Sequence, residues 1–477
     1  MNGIKKLIYF AIIFFCFLIF LTVISFYFFG TINSVGVADY YVDASSGSDN
    51  ADGLSPQSAW QSLAKVNSTQ FQPGSRILFK KGEVWRGQLK LASGSASKSI
   101  AYLSYGEAIE KPTILGSLNK SDVGDWVQEA ENIWRSSSAF ETDVGNLIFN
   151  KGGGIGGKKW DIASLTNQGD YWFDRSSKIL RIYSVGNPAT FYSDIECALR
   201  KHIINQDNTS YAIIDGLALK YGAAHGIGGA NTHHISIRNM DISYIGGGDL
   251  RGDGSNVRYG NGIEFWGNAH DNLVEKSKIW EIYDTCLSNQ NHTKKASQYN
   301  ITYRNNVMWN CGLASFEFWN RPSSSVMRNI RFENNTAVNA GYGWGKTARP
   351  DRGGAHILSF QNEANTEDVI IRNNLFYGAV YAITVITDYD WATTGMEIDH
   401  NCYYQKQATD RMAHLNNGVG EGAGKNFTMK DFDLYKNYVR KDINSIVADP
   451  LFVNAPKLDF RLQEETSCIN TGVGWEQ

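Results

Sequence analysis

Ile301-Thr302-Tyr303-Arg304-Asn305-Asn306 returns as Ile330-Arg331-Phe332-Glu333-Asn334-Asn335, again as Val369-Ile370-Ile371-Arg372-Asn373-Asn374, and again as Met396-Glu397-Ile398-Asp399-His400-Asn401. A weaker copy, Ile235-Ser236-Ile237-Arg238-Asn239, precedes them, and Leu273-Val274-Glu275-Lys276-Ser277 is a degenerate one. The starts at 235, 273, 301, 330, 369 and 396 are 38, 28, 29, 39 and 27 residues apart. Each copy alternates apolar and polar residues, the period of a strand. Each closes on Asn or another small polar residue, which suits a tight turn because Asn tolerates left-handed backbone angles. A second strand follows in each unit: Gly262-Ile263-Glu264-Phe265-Trp266, Ser315-Phe316-Glu317-Phe318-Trp319, His356-Ile357-Leu358-Ser359-Phe360 and Ala382-Ile383-Thr384-Val385-Ile386. Short strands in a fixed order with variable loops describe a solenoid, in which a coil buries its faces only by stacking on its neighbours. The asparagines are then expected to hydrogen-bond from coil to coil. Units of 27–29 residues are too short for the four strands of a propeller blade, and helical repeats fail on the period of two.

The pattern resembles the right-handed parallel β-helix of the pectin lyase-like superfamily. Tyr40-Tyr41-Val42-Asp43, with Gly47-Ser48-Asp49 and Asp52-Gly53-Leu54-Ser55-Pro56, is similar to that group's N-terminal opening segment. Phe71-Gln72-Pro73-Gly74-Ser75-Arg76-Ile77-Leu78-Phe79-Lys80 resembles its first coil. Asp449-Pro450-Leu451-Phe452-Val453 and Asp459-Phe460-Arg461-Leu462 resemble its closing segment. The fold expected is all-β: a right-handed parallel β-helix with N- and C-terminal caps and an N-terminal transmembrane helix. The chain divides into 1–38 (cytoplasmic tip and membrane segment), 39–120 (cap and first coils), 121–200 (a β-rich insertion), 201–405 (the main solenoid) and 406–477 (the closing segment, with a short helix around 429–438). The resemblance implies a fold and hardly an activity, since one fold hosts many chemistries.

Composition agrees with a solenoid. The chain has 477 residues, 47 Gly and only 8 Pro, which suits many turns and excludes a Pro-rich linker protein. Its 42% hydrophobic content allows a large core. A net charge of -3 excludes a general nucleic-acid binder. Residues 7–29 carry no charge and no Pro, and Lys5 and Lys6 stand before them. Such a stretch crosses a bilayer as a helix, and the positive-inside rule sends everything after it out of the cytoplasm. A signal peptide cut before Asp39 is the rival reading, and a secreted protein would follow from it. Cys197, Cys286, Cys311, Cys402 and Cys468 are widely spaced and include no CxxC. Buried thiols, with room for one disulfide, are expected rather than a disulfide framework or a zinc site.

The second strands locate a candidate site. With Ile263 and Phe265, Phe316 and Phe318, and Ile383 and Val385 facing inward, Glu264, Trp266, Glu317 and Trp319 face outward on one side. The coil between places Leu287 inward and Ser288 and Gln290 outward. Coils stack about 4.8 Å apart, so backbones two coils apart are separated by roughly 9–10 Å. Carboxyl groups about 6.5–9.5 Å apart suit an inverting glycosidase, one acting as acid and one as base. The same carboxylates could instead hold a calcium ion that grips a uronate. No other cofactor and no dedicated metal site is expected. Trp266 and Trp319 offer sugar-stacking platforms.

The longest connections, 246–260, 291–298 and 341–355, are expected to leave the same turn of successive coils and form one basic rim. That rim holds Arg258, Tyr259, Arg349 and Arg352 as substrate-binding residues, together with Gln290, and Arg321 stands two residues past Trp319. A basic rim on an acidic exported chain points to an anionic polysaccharide, and so to β-elimination. That needs a cation on the carboxylate, a base for the C5 proton and an acid for the leaving oxygen. Arg321, His356, which starts the strand after the longest rim loop, and Asp284 join Glu264 and Glu317 as catalytic candidates. His225, His233 and His234 read as polar edge residues of a coil.

Three readings stand: a lyase of an anionic, uronate-containing polysaccharide; an inverting hydrolase using Glu264 and Glu317; and a non-catalytic polysaccharide-binding surface protein. Each is a monomer without a nucleic-acid partner, attached to the membrane through 7–29. The paired aspartates, Gly-His-Gly and Arg-x-Lys of polygalacturonate hydrolases are absent, and Ala224-His225-Gly226 is only a fragment of that set. Gly152-Gly153-Gly154-Ile155-Gly156-Gly157-Lys158 has P-loop spacing, but Lys159 stands where Ser or Thr must bind magnesium. It reads as a flexible glycine-rich loop.

Overall fold

The computed structural model describes residues 33–34, 36–254, 256–349, 353–360, 362, 366–387, 395–416 and 424–471. Residues 7–29, expected to cross a membrane, and Arg352 lie outside the described residues. Among the described residues no helix is long and apolar enough to cross a membrane.

Each coil carries three strands. In one coil they are Ser297–Arg304, Val307–Cys311 and Ala314–Asn320, and in the next Val326–Glu333, Thr336–Ala340 and Ala355–Ser359. We call them the ladder, outer and site strands. Each pairs in parallel with its counterpart one coil on: Ile301 with Ile330, Ile330 with Val369, and Val369 with Met396. This is the parallel β-helix expected from the repeat. Site and ladder strands share one 19-stranded sheet because Ile263–Glu275 runs through both, while the outer strands form a 10-stranded sheet. The apolar members of each copy fill the interior, and rings stack from coil to coil. Phe316 lies 4.6 Å from Phe332, nearly parallel, and neither is exposed to solvent. Burying one such side chain contributes about 1.5–3 kcal/mol.

The paired asparagines divide their work. Asn305, Asn334 and Asn373 take left-handed angles, with φ of 53°, 54° and 54°, and turn the corner. Asn306, Asn335, Asn374 and Asn401 point inward as a ladder. Each passes an amide hydrogen to the next oxygen at 3.0, 3.2 and 3.1 Å. Ser277 and Ser445 close the ladder at its two ends.

A lobe of antiparallel strands spans 117–199, from Ser117–Asn119 to Ile195–Leu199. It has its own core around Trp126, Leu147, Phe149, Tyr171 and Leu180. The closing segment carries a helix at Phe432–Val439, followed by short strands at Ile446–Val447, Phe452–Asn454 and Asp459–Leu462.

Several expectations need correction. Four cysteines form two disulfides, Cys286–Cys311 and Cys402–Cys468, and only Cys197 is a free, buried thiol among the described residues. Stacking and the returning closing segment unite positions 25 and 66 residues apart, which spacing along the chain does not reveal. The glycine-rich stretch is not loose. It forms Gly154–Ile155 and Gly157–Lys158, and the Lys158 ammonium is buried on the Asp143 carboxylate at 2.6 Å. Val385 pairs with Leu358 on the outward row and packs with it, while Ile383 does face the core. The loop 291–298 does not share a turn with the other two. It follows its site strand, Thr285–Asn291, whereas 246–260 and 341–355 precede theirs. The lobe also enters at the turn before a site strand, Ile204–Asn205, so the lobe and those two loops stand on one side of the site strands.

Candidate active site

The pairings Glu264–Ser288 and Ser288–Glu317 set the two glutamates on one outward row, two rungs apart. Ser288 between them is fully buried, and its hydroxyl has no partner within the protein. The row continues into Leu358 and Val385. Both glutamates are nearly enclosed. Burial pushes the Glu264 carboxyl up to about 8; the Asn261 hydrogen bond opposes this, and the nearby Glu317 and Asp284 add to it. Burial and the nearby Asp284 push Glu317 up to about 8 as well, against the hydrogen bond from Thr285, the Arg349 charge and the hydrogen bond from Gln290.

A second row lies two residues before the first inward residue of each site strand, at the corner of the coil. It runs His202, His225, Asn261, Thr285, and then Ala314, Ala355 and Ala382. Its polar half supports the acids. The Asn261 amide donates to Glu264 at 2.5 Å, and the Thr285 hydroxyl donates to Glu317 at 3.1 Å. The Asn261 backbone N–H donates to His225 Nδ1 at 2.9 Å. The proton of a neutral His225 therefore sits on Nε2, which faces Glu264 at 3.3 Å. Burial, and then the His202 ring stacked on it, holds His225 well below the ordinary imidazole range, so it is neutral. The alanine half packs with Leu358, Val385, Phe360 and Tyr381 into an apolar patch, and the polar site ends there.

Most of the residues expected at the site do meet here. Asp284, on the rung between the glutamates, is ion-paired with Arg349. Gln290 donates to Glu317 at 2.7 Å. The Tyr259 ring meets His225 edge-on at 5.2 Å. Trp266 and Trp319 touch at 5.7 Å with their planes 83° apart, so they form one edge-to-face unit rather than two parallel platforms. Arg258 is close by but is bonded to the protein: it donates to the carbonyls of Gly247, Ala348 and Gly145 at 2.7, 3.1 and 2.9 Å. It rivets the lobe to both rim loops instead of presenting free donors. Arg258 and Arg349 both rest on the Tyr283 ring, at 4.6 and 5.0 Å. Arg321 is exposed at the far end of its strand, and its backbone N–H donates to the Asn291 carbonyl.

His356 is a correction. At the corner two consecutive residues face inward, so His356 lies inside the solenoid. Its Nδ1 meets the Ser315 hydroxyl at 2.9 Å and its Nε2 donates to the Gly378 carbonyl at 3.0 Å. Burial pushes it down to about 4, a neutral core histidine shut off from the row of glutamates.

His225, Asn261 and Thr285 escaped the sequence reading. Ala224-His225-Gly226 was visible as a fragment, and counting two residues back from each first inward residue would have aligned all three. Calcium ligation by the acids finds little support in the geometry. Asp284 faces Arg349, and the three carboxyl groups do not bring ligand oxygens within 4.8 Å of one another. Three described cavities, of about 390, 420 and 340 Å³, have no glutamate of this pair in their lining.

No family model and no curated protein matches the chain. Solved structures do. A glycoside hydrolase is similar over 80% of this chain and 95% of its own, at 9% identity and a TM-score of 0.51. An alginate lyase from Paenibacillus sp. str. FPU-7 matches over 82% and 92% at 15% identity and a TM-score of 0.43. A pectate lyase matches over 82% and 73% at 14% identity and 0.45. At such identities the likeness concerns the fold.

Proposed function

We propose that this parallel β-helix protein, which shares the fold of the pectin lyase-like superfamily, is a polysaccharide-cleaving enzyme whose acid and base are Glu264 and Glu317. The observation that carries the reading is the pair itself: two enclosed glutamates on one row, two rungs apart, with the small, unpartnered Ser288 hydroxyl between them. One carboxyl group keeps its proton near neutral pH and gives it to the leaving glycosidic oxygen. The other, once ionised, takes a proton from water as that water attacks the anomeric carbon. This water would sit against the unpartnered Ser288 hydroxyl, and a spacing of two rungs agrees with inversion. His225, Asn261, Thr285 and Gln290 position the carboxyl groups, and the Trp266–Trp319 unit supplies an apolar face for a sugar ring.

The charge balance favours hydrolysis over the lyase reading. Arg349 is committed to Asp284 and Arg258 to backbone carbonyls, so neither guanidinium is turned to the task of neutralising a uronate carboxylate. One observation keeps elimination as a second reading: the Tyr283 ring lies against both guanidinium groups, an arrangement able to combine a phenol base with carboxylate neutralisation. We also take the enzyme to work outside the cytoplasm, held by residues 7–29, on the strength of that segment and Lys5 and Lys6.

The test incubates the protein with neutral and uronate polysaccharides. Reducing ends with inverted anomeric configuration are expected, without the absorbance of unsaturated sugars. Unsaturated products would replace this reading by the lyase, and saturable binding without products would leave a binding protein. Glu264→Gln and Glu317→Gln are each expected to lower turnover about 10²–10⁴-fold. An activated leaving group should rescue the acid variant and azide the base variant; unchanged turnover in both would remove the site.

A further inference from the structure

On the ladder strands, away from the glutamates, three histidines converge. His233 and His270 are paired across adjacent coils. Their rings lie 4.8 Å apart and parallel to within 1°, and the column continues onto Tyr299 at 4.6 Å. Coil stacking alone accounts for that column. It does not account for His234. Successive residues of a strand point to opposite faces, yet His234 joins His233 on the outside because its φ is 56°. The same left-handed angle recurs at Tyr211, Asp271 and Asn300, so the turn belongs to this corner of the coil, and on this rung it presents an imidazole. Tyr211 stacks on that ring at 4.5 Å.

The nitrogens converge as well as the rings. His233 Nδ1 and His234 Nδ1 are 3.0 Å apart, and all three histidines offer a ring nitrogen within 4.8 Å of the others. With metal–nitrogen bonds of about 2.0–2.1 Å, a 3.0 Å separation subtends roughly 94° at a shared ion, and a small opening of the exposed His234 reaches the tetrahedral value. Asp271 completes the arrangement. Its Oδ2 lies 2.7 Å from His270 Nδ1 and 3.9 Å from His234 Nε2, and its Oδ1 accepts from Asn300 at 2.8 Å. A carboxylate that holds one ring nitrogen of a histidine fixes the other for ligation. Imidazole donors suit zinc and its neighbours and not calcium.

We propose that His233, His234 and His270 bind one divalent transition-metal ion, zinc in the first place, with Asp271 as the outer partner of His270 and His234. The ion would tie two coils together across the chain segment that contains the 246–260 loop and Glu264. The site is separate from the glutamate pair and does not depend on the reading of it.

The test uses the full chain without an affinity tag, stripped with a chelator and titrated with zinc alone by calorimetry. One equivalent is expected to bind, and zinc should raise the unfolding temperature. The exposed His234→Ala variant should bind at least 10-fold more weakly, His233→Ala with His270→Ala at least 100-fold, and Asp271→Asn about 10-fold. Cobalt substituted for zinc should give a ligand-field spectrum that His234→Ala loses, a readout that a packing role for the ring would not move. No zinc binding to the wild-type chain, or equal affinity in the histidine variants, would overturn the proposal; a single hydrogen bond between His233 and His234 would then explain their contact.

Discussion

At the scale of the residue, the candidate site turns on two carboxyl groups whose burial raises their hold on a proton. Both glutamates titrate at about 8 in the folded chain, against an ordinary 4.5. Below about 4.5 the folded and unfolded chains are both protonated, and stability from this source is fully present. As the pH rises toward 8 the unfolded chain releases protons that the folded chain retains, so stability falls, and it levels off above 8. The E264Q/E317Q double variant lacks this loss. Its melting temperature, measured relative to wild type, should climb in its favour between pH 4.5 and 8. The buried His356, bonded to Ser315 and Gly378 and not to either glutamate, cancels between the two proteins; a flat difference would refute the shift. Glu264 and Glu317 were legible in the sequence because an alternation of two fixes which side chains leave the core. His225 and His356 were not legible. Both stand at corners, where the alternation breaks and consecutive residues turn the same way.

At the scale of the element, the repeat was readable because its turns demand particular chemistry. A left-handed residue followed by an inward amide is nearly a signature of Asn-Asn. The inward Asn335 accepts from the Asn306 backbone and side chain at 3.0 Å each and donates to the Tyr303 carbonyl and to Asn374. Asn335→Ala leaves buried donors unpaired, at roughly 1–3 kcal/mol each. A loss of about 3 kcal/mol is expected in denaturant unfolding, while exposed Glu367→Ala, on a neighbouring ladder strand, should change stability by less than about 0.5 kcal/mol. Equal effects would mean that the ladder contributes nothing special. The loops were harder to read. Their length is visible in the sequence, but which side of the groove they border depends on the third strand of each coil. The repeat shows two strands per unit in the sequence, and the third decides that 291–298 lies on the far side of its site strand.

At the scale of the whole molecule, the stacked coils share one continuous core, and the lobe at 117–199 keeps its own. Its end is tied by Cys402–Cys468, which closes 66 residues. On the chain-entropy account a loop of that size contributes about 4 kcal/mol. Cys402→Ser with Cys468→Ser should lower unfolding stability by about that amount, with hydrogen exchange rising first in the closing segment around Phe432–Val439. Unchanged protection there would show that packing alone holds the end. Neither disulfide was readable, because each pairing is made by the number of turns the chain completes before it returns.

The coil that carries Ser288 between the two glutamates has a further meaning. In this scaffold the distance between two groups on one row is quantised in rungs of about 4.8 Å. Two rungs bring carboxyl groups toward the spacing of inversion, and one rung would bring them toward the 5–5.5 Å of retention. On the proposed hydrolytic reading, the stereochemical course is therefore written in an integer, the count of coils between the acids, and no point substitution moves it by degrees.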